Sequence, residues 1–324
     1  MTGNEAPFAV APMMDWTDRH CRYFFRQLSP SVRLYTEMVT AAALVHGDSE
    51  RLLRYDTEEH PVALQLGGSD PEQMAAAAAL GAAAGYDEIN INVGCPSDRV
   101  QSGVFGSCLM AHPERVADCV RAMRATVEVP VTVKTRIGID DFDSAAFFQT
   151  FVDTVVDAGC DTFIVHARIA ILSGLSPKEN RSVPPLNYER VYALKRRRPE
   201  LNVWLNGGIV SVAECAEHLS QTDGVMVGRQ AYQDPWFLTE LEREFGNGLP
   251  ALTRASVVNR MLDYIEDELA AGAQLKHISR HMLGLFAGQP GARAWRRHIS
   301  ERAHLPGAGT DVLLGALSRV PTAA

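Results

Sequence analysis

Cys95 closes a run reading Ile89-Asn90-Ile91-Asn92-Val93-Gly94-Cys95-Pro96-Ser97. An alternating strand from Tyr86 to Val93 thus stops by offering two amides and a thiol to one place, an arrangement suited to binding and proton transfer. A buried cysteine at an ordinary strand end is the plainer alternative. Lys134 and His166 follow at the ends of two further apolar runs. A lysine there can stabilise negative charge on an electron-rich ring, and a histidine can hold a carbonyl or donate a proton. Their structural alternatives are a partnership of Lys134 with Glu37 and a hydrogen-bonded core histidine. Asn206-Gly207-Gly208 and Gly228-Arg229 let the backbone approach a ligand closely, and Arg229 adds a guanidinium for phosphate oxygens. Tight turns with a solvated arginine would use the same residues.

These groups need a scaffold that brings them to one side. Short apolar runs bounded by turn residues predict strands at Phe8–Ala11, Arg33–Met38, Val62–Leu66, Glu88–Val93, Val131–Thr135, Thr162–His166, Val203–Asn206 and Gly224–Val227. Between them lie helical patterns at Asp18–Leu28, Pro71–Ala84, Pro113–Glu128, Ser144–Ala158, Tyr188–Arg197 and Val212–Ser220. Asp70, Asp143 and Ser211 read as helix starts, and Gly85 and Gly159 as exits. Eight β-then-α units predict a (β/α)8 TIM barrel, with a doubly wound sheet as runner-up that lacks its GxGxxG. In a barrel the strand ends share one face. There they offer Pro12-Met13-Met14-Asp15, Glu37-Met38, Gln65, Asn92 to Cys95, Lys134-Thr135-Arg136, His166-Ala167-Arg168, Asn206 to Gly208 and Gly228-Arg229.

Beyond Pro235 the βα rhythm stops. Helices are expected at Thr253–Ala271, Leu275–Phe286, Ala292–Ala303 and Asp311–Arg319, forming a small all-α bundle. We therefore expect a barrel domain over residues 1–240 and a helical domain over 241–324. Arg293, Arg296 and Arg297 share one face of the third helix, while Trp295 is expected to pack inward. Charge divides along the same line. The chain of 324 residues has a net charge of −8, yet residues 250–324 carry 9 basic against 6 acidic residues. An acidic body with a mildly basic tail is compatible with local binding of an anionic polymer. The run Lys195 to Arg198 closes a helix before Pro199, where cations complement the helix dipole. The loop from Ile169 to Pro185 is long enough to be functional, and its Lys178 and Arg181 either cover a polyanion or are simply solvated. Six scattered cysteines without a CxxC pair suit a reducing cytoplasm and argue against a disulfide framework or a zinc site. No apolar run is long enough for a membrane span, and the N-terminus has no secretory pattern.

Pro12-Met13-Met14-Asp15-Trp16-Thr17-Asp18, Asn92-Val93-Gly94-Cys95-Pro96-Ser97, His166-Ala167-Arg168, Leu175-Ser176-Pro177-Lys178-Glu179-Asn180-Arg181 and Asn206-Gly207-Gly208-Ile209 together resemble the tRNA-dihydrouridine synthases, most closely their bacterial A-type subfamily. The resemblance covers essentially the whole chain. It implies FMN on a TIM barrel, a helical tRNA-binding domain, and NADPH-dependent reduction of D-loop uridines 20 and 20a. Pro12, Met13, Met14, Gln65, Lys134, His166, Asn206, Gly207, Gly208, Gly228 and Arg229 would contact the flavin. Asn92 would touch the uridine, with Arg136 near the substrate, and Cys95 would be the proton donor. Lys178, Arg181, Arg293 and Arg296 would meet the tRNA around its D-loop and elbow, with the protein acting as a monomer. Val104 and Ile169 replace basic residues expected in relatives, which bears on tRNA affinity and not on chemistry.

The chemistry agrees with the residues. The uracil C5=C6 bond is conjugated to the C4 carbonyl, so hydride adds at C6 and the enolate takes a proton at C5. A thiol, ordinarily titrating near pH ~8.5, is available as that acid at neutral pH. A flavin barrel reducing a small enone, or a tRNA-binding protein without catalysis, are the competing functions. The basic tail weighs against the first, and Cys95, Lys134 and His166 weigh against the second.

Overall fold

A computed structural model describes residues 6–97, 105–248 and 251–321. The strands are β1 (Phe8–Val10), β2 (Leu34–Tyr35), β3 (Val39–Thr40), β4 (Val62–Gly67), β5 (Glu88–Val93), β6 (Val131–Arg136), β7 (Thr162–His166), β8 (Asn202–Asn206) and β9 (Gly224–Val227). Every pairing among them is parallel, in the order β1-β9-β8-β7-β6-β5-β4-β2. A parallel bridge from Ala9 to Arg33 joins β2 back to β1, closing the barrel predicted from the βα rhythm. The single strand expected over Arg33–Met38 is instead interrupted. Tyr35 pairs with Ala63 and Val39 with Leu66, so one strand advances four residues while the other advances three. The extra residue makes a bulge, and the Thr36 hydroxyl accepts the Gln65 N–H at 3.0 Å across it.

Inside the barrel, Ala9, Ala11, Tyr35, Ala63, Ile164, Trp204 and Met226 form one buried cluster. Trp204 lies against Gly224, where a Cβ would stand 2.3 Å from the indole ring, so glycine is required for the tryptophan to fit.

Local chemistry sets the surrounding helices. Asp70 accepts the Gln73 N–H at the start of Pro71–Ala83, and Ser211 with Glu214 forms a capping box before Val212–Leu219. Gly85 (φ 95°) and Gly159 (φ 99°) follow two helix ends in the left-handed region. Ser144, not Asp143, caps Ala145–Asp157, while Asp143 pairs with Arg190. Helix Pro113–Arg124 stops short of the expected Glu128. The basic run Lys195–Arg198 is held within its own fold. Lys195 pairs with Asp223 at 2.7 Å, Arg196 with Glu189, and Arg197 and Arg198 with Asp153 at 2.9 and 2.6 Å.

Two compact units partition the chain: Pro7–Met14 with Arg33–Gly228, and Asp15–Val32 with Arg229–Ala324. Helix Arg19–Leu28, first in the βα sequence, therefore belongs with the C-terminal helices. Its Tyr23 ring stacks on Tyr264 at 3.8 Å, and His20 hydrogen-bonds the Tyr264 hydroxyl at 2.7 Å. Asp18 caps it and pairs with Arg280 (2.6 Å) and His281 (3.0 Å), and Glu242 accepts hydroxyls from Ser29 and Ser31 at 2.5 Å each. These partners hold the Asp18 carboxyl well below its ordinary range against the opposing effect of burial. Arg254–Ala270, Ala292–Arg302 and Thr310–Leu317 are helical as expected, and Trp295 is fully buried, donating to the Met282 carbonyl at 3.0 Å. The helix expected over Leu275–Phe286 ends at Ser279 and tightens into a 3-10 turn, Arg280–Met282. Gly284 beyond it lies against the Gln233 carbonyl, 2.5 Å from where a Cβ would sit. Among the described residues no helix is long and apolar enough to cross a membrane.

Candidate active site

Strand β5 supplies the organising stretch. Ile89 reaches Gly81 of helix Pro71–Ala83, so Ile89, Ile91 and Val93 face the helical layer, and Glu88, Asn90 and Asn92 face the barrel interior. At the upper end the Asn92 side chain bridges outward. Its Nδ2 donates to Gln65 Oε1 at 2.8 Å, and its Oδ1 accepts the N–H groups of Gly94 (3.0 Å) and Cys95 (2.9 Å). The turn bearing Cys95 is held from its other side by Ser107, whose N–H and hydroxyl donate to the Cys95 carbonyl at 2.9 and 3.0 Å. Cys95 is half-buried, with Ser97 Oγ 3.5 Å from its sulfur.

The neighbouring strands bring the other polar ends alongside. Asn92 pairs with Lys134 in register, Arg136 with His166, and His166 with Asn206. Lys134 Nζ donates to Asn206 Oδ1 at 3.0 Å, and Asn206 Nδ2 donates to the Met226 carbonyl at 2.7 Å. Burial, and then the Arg136 guanidinium, pull the Lys134 pKa down to about 7 despite the opposing influence of Cys95. Such an ammonium gains from any electron-rich group placed against it.

His166 sits under the turn at Gly207-Gly208. A Cβ on Gly207 would stand 2.6 Å from His166 Cδ2, and both glycines hold positive φ, 118° and 77°. No other residue fits there without displacing the imidazole. Gly228 is different: a Cβ there would meet only Ala11, at 3.9 Å. Protein packing does not demand that glycine, so the space above β9 is open to a ligand. Pro12 and Met13 are half-buried after β1, and Met14 is exposed. Arg229 is exposed and opens the helix Arg229–Gln233 directly after Gly228.

Arg136, expected near the substrate, is tied into the protein itself. It is buried and donates to three carbonyls, those of Gly94 (2.9 Å), Ile169 (2.8 Å) and Asn180 (3.0 Å). Burial pulls its pKa down to about 10 against the influence of Cys95, and Arg181 and Arg168 add to the lowering. Its role is to tie the Cys95 turn to the long loop after β7. That loop is built around Asn180, which is fully buried, accepts the Ile171 N–H at 2.8 Å and donates to the carbonyls of Ile171 (2.8 Å) and Leu175 (3.2 Å). Glu179 and Ser176 cap the turn between them, leaving Lys178 and Arg181 exposed. Val104 lies outside the described residues, and Ile169 packs on Gly138.

In the helical unit Arg293 and Arg296 are both exposed. Arg293 lines a hollow with Arg297, His298, Arg302 and Arg319, whereas Arg296 does not. Arg302 ends the same helix, whereas Arg319 follows the last helix and is an addition that spacing within one element could not reveal. Two further residues escaped the sequence reading: Thr132, opposite Asn90 in register, and Glu88 at the base of β5. Their signal was present in the two-residue spacing of Glu88, Asn90 and Asn92, on a strand that a parallel sheet buries on both faces.

Residues 9–318 match the family model described as dihydrouridine synthase. The chain is 58% identical over 315 residues to a Vibrio cholerae protein named tRNA-dihydrouridine(20/20a) synthase, covering 97% of this chain and 96% of the relative. Proteins of that name from Salmonella typhimurium and Escherichia coli are 61% and 60% identical over 97% of this chain, covering 95% and 91% of their own lengths. A solved 2-naphthoyl-CoA reductase complex superposes with a TM-score of 0.55 at 9% identity, over 74% of this chain and 50% of that one, a likeness of fold alone.

Proposed function

The chain belongs to the dihydrouridine synthase family, and on that premise we propose that the barrel mouth reduces D-loop uridines 20 and 20a of tRNA, with FMN as bound cofactor and NADPH as reductant. The protein is an enzyme that converts uridine in tRNA to 5,6-dihydrouridine. The observation that most supports the site is the Asn92 side chain, which holds the N–H of Cys95 at 2.9 Å and so poises the thiol beside an amide at the end of β5.

The residues at the mouth fit a flavin. Gln65, Lys134, His166 and Asn206 offer donors and acceptors for its ring and carbonyls, and the open cradle at Gly228 with Gly207, Gly208 and Arg229 suits its phosphate. Pro12, Met13 and Met14 supply apolar surface. When bound and reduced, the flavin supplies hydride to uracil C6. The protein then has three tasks. Asn92 orients the base through its carboxamide. Lys134 stabilises negative charge near the ring. The Cys95 thiol gives its proton to C5 of the enolate, so that one hydride and one proton saturate the C5=C6 bond.

The target base must leave its stack to reach a barrel mouth, and distributed backbone contacts can hold the RNA while it does. Lys178 and Arg181 on the loop after β7, with Arg293 and Arg296 on the helical unit, are assigned that work. We assign flavin binding to the barrel domain and tRNA grip chiefly to the C-terminal helices, in a monomer acting in the cytoplasm.

The deciding experiment measures NADPH-dependent dihydrouridine formation on unmodified tRNA by wild type and Cys95→Ala. Turnover by wild type, with a flavin-loaded variant far slower, is the expected result. A wild type that oxidises NADPH, reduces a small enone and leaves tRNA unchanged would overturn the tRNA assignment while keeping the flavin barrel.

A further inference from the structure

The hydrogen bonds along the inner face of β5 all run in one direction, and the direction is set at its buried end. Glu88 is 1% exposed and pairs with the Arg33 guanidinium. As a carboxylate it only accepts, from the Tyr35 hydroxyl at 2.9 Å and the Thr132 hydroxyl at 2.5 Å. Burial and the adjacent carboxylate hold the Tyr35 hydroxyl well above its ordinary range, so it stays a donor. Thr132 has one hydroxyl hydrogen. Giving it to Glu88 turns a lone pair toward Asn90, whose Nδ2 donates at 2.8 Å. Asn90 Oδ1 is then left to accept Gln65 Nε2 at 2.8 Å, and Gln65 Oε1 to accept Asn92 Nδ2 at 2.8 Å. Asn92 Oδ1 faces the N–H groups of Gly94 and Cys95, which can only donate. Both ends of the chain thus demand the same polarity, and every amide along it satisfies both.

We infer that Glu88, acting through Thr132 and Asn90, is a positioning residue that fixes Gln65 as a hydrogen-bond acceptor toward the barrel mouth and holds Asn92 as the clamp on the Cys95 turn. Its catalytic meaning rests on the function proposed above; the direction of the hydrogen bonds does not. One Nε2 hydrogen is committed to Asn90, and on the Asn92 side Gln65 presents Oε1, which keeps a lone pair beyond the Asn92 bond. A ligand group placed against it must bring an N–H or O–H, and the imide N–H of an isoalloxazine or a uracil is of that class. An inverted Gln65 would set donor against donor. When a substrate takes hold of Asn92, the buried end keeps the polarity of Gln65 unchanged.

The test uses full-length Thr132→Val, Thr132→Ser and Glu88→Gln proteins. Serine keeps the hydroxyl relay, valine deletes it at similar volume, and glutamine keeps an acceptor oxygen while adding a donor where none stood. The readout is the second-order rate of Cys95 alkylation by iodoacetamide, located by mass spectrometry and paired with the melting temperature. Cys95 can be followed selectively, because burial pushes the thiols of Cys119, Cys160 and Cys215 up to about 12 and also raises that of Cys108. Thr132→Val and Glu88→Gln are expected to raise the Cys95 rate at least about fivefold by loosening its turn, with Thr132→Ser within about twofold of wild type. Variants that melt lower while Cys95 reacts at the wild-type rate would show a chain that only stabilises the core, and the inference would be overturned. Should Thr132→Val fail to fold, Glu88→Gln decides by the same rate. The readout needs neither flavin nor tRNA, so a wild type unable to form dihydrouridine would sink the proposed function and leave this result standing.

Discussion

Asn180→Ala tests whether the loop after β7 presents its cations because one buried amide holds it. The substitution removes an acceptor from the Ile171 N–H and a donor from the Ile171 and Leu175 carbonyls, three hydrogen bonds of 3.2 Å or less, together with a longer one of 3.4 Å to the Ser176 carbonyl, at a site with no solvent exposure. At about 1 kcal/mol net for each, the ordered loop loses about 3 kcal/mol, a ceiling of roughly 150-fold in its population. Lys178 and Arg181 would then have to be ordered at the moment of binding, so the Kd for unmodified tRNA should rise at least about fivefold and no further than that ceiling. Salt dependence gives the sharper test. Asn180→Ala keeps both cations, which still reach phosphates once the loop has ordered in the complex, so the slope of log K against log salt should stay at its wild-type value while Kd rises. A Lys178→Ala, Arg181→Ala double variant, with its loop intact, should instead flatten that slope by about 1.4 to 1.8. If Asn180→Ala leaves Kd at its wild-type value, or the double variant leaves the slope unchanged, the loop does not carry phosphate contacts and the reasoning fails.

The pKa of Lys134 falls from 10.5 to about 7. Between those values the unfolded chain binds the extra proton, so wild type should gain stability relative to Lys134→Met as pH rises through that window, read from melting of the flavin-free protein. Gly228→Ala, with nothing closer than 3.9 Å to its new methyl, should melt like wild type yet bind FMN more weakly; an unchanged FMN titration would remove Gly228 from the cofactor site. Gly207→Ala forces a methyl to 2.6 Å from His166 in a positive-φ position. It should cost about 1–3 kcal/mol of stability in denaturant titration as well as displacing the histidine. Trp295→Ala empties a fully buried site and should cost about 3–5 kcal/mol in the same assay.

The barrel was legible because the strands are short, mostly apolar runs and several helices open on a side chain that caps them, while Pro113–Arg124 opens on a proline instead. Thr162–His166 coincides with its expected span for that reason. What the pattern missed depends on the partner across the sheet. The bulge after Tyr35 exists because β4 advances one residue fewer, which no property of residues 33–38 encodes. Asp143 and Ser144 are both good helix starts, and Arg190, distant in the chain, draws Asp143 away. The placement of Asn92, Lys134, His166 and Asn206 at or near strand ends was readable from the runs that precede them. Arg136 was readable as a cation at a strand end, but its depth and its three carbonyl partners, which make it a tie between loops, depend on segments distant in the chain. Glu88 was legible only as an inward-facing strand position, because the hydrogen bonds it makes with Thr132 acquire a direction only when Asn90, Gln65 and Asn92 are brought together.

Helix Arg19–Leu28 imposes an order on biosynthesis. It is made well ahead of its partners Tyr264 and Glu268, and its capping Asp18 well ahead of Arg280. At about 5–20 residues per second, the roughly 230 residues between them take about 10–50 s to emerge. Through that interval the tyrosine-bearing face of the first helix waits on the ribosome without its mates, a natural client surface for a nascent-chain chaperone. A C-terminal fragment expressed alone would have the converse lack, and joining residues 15–32 to it through a linker should restore its fold.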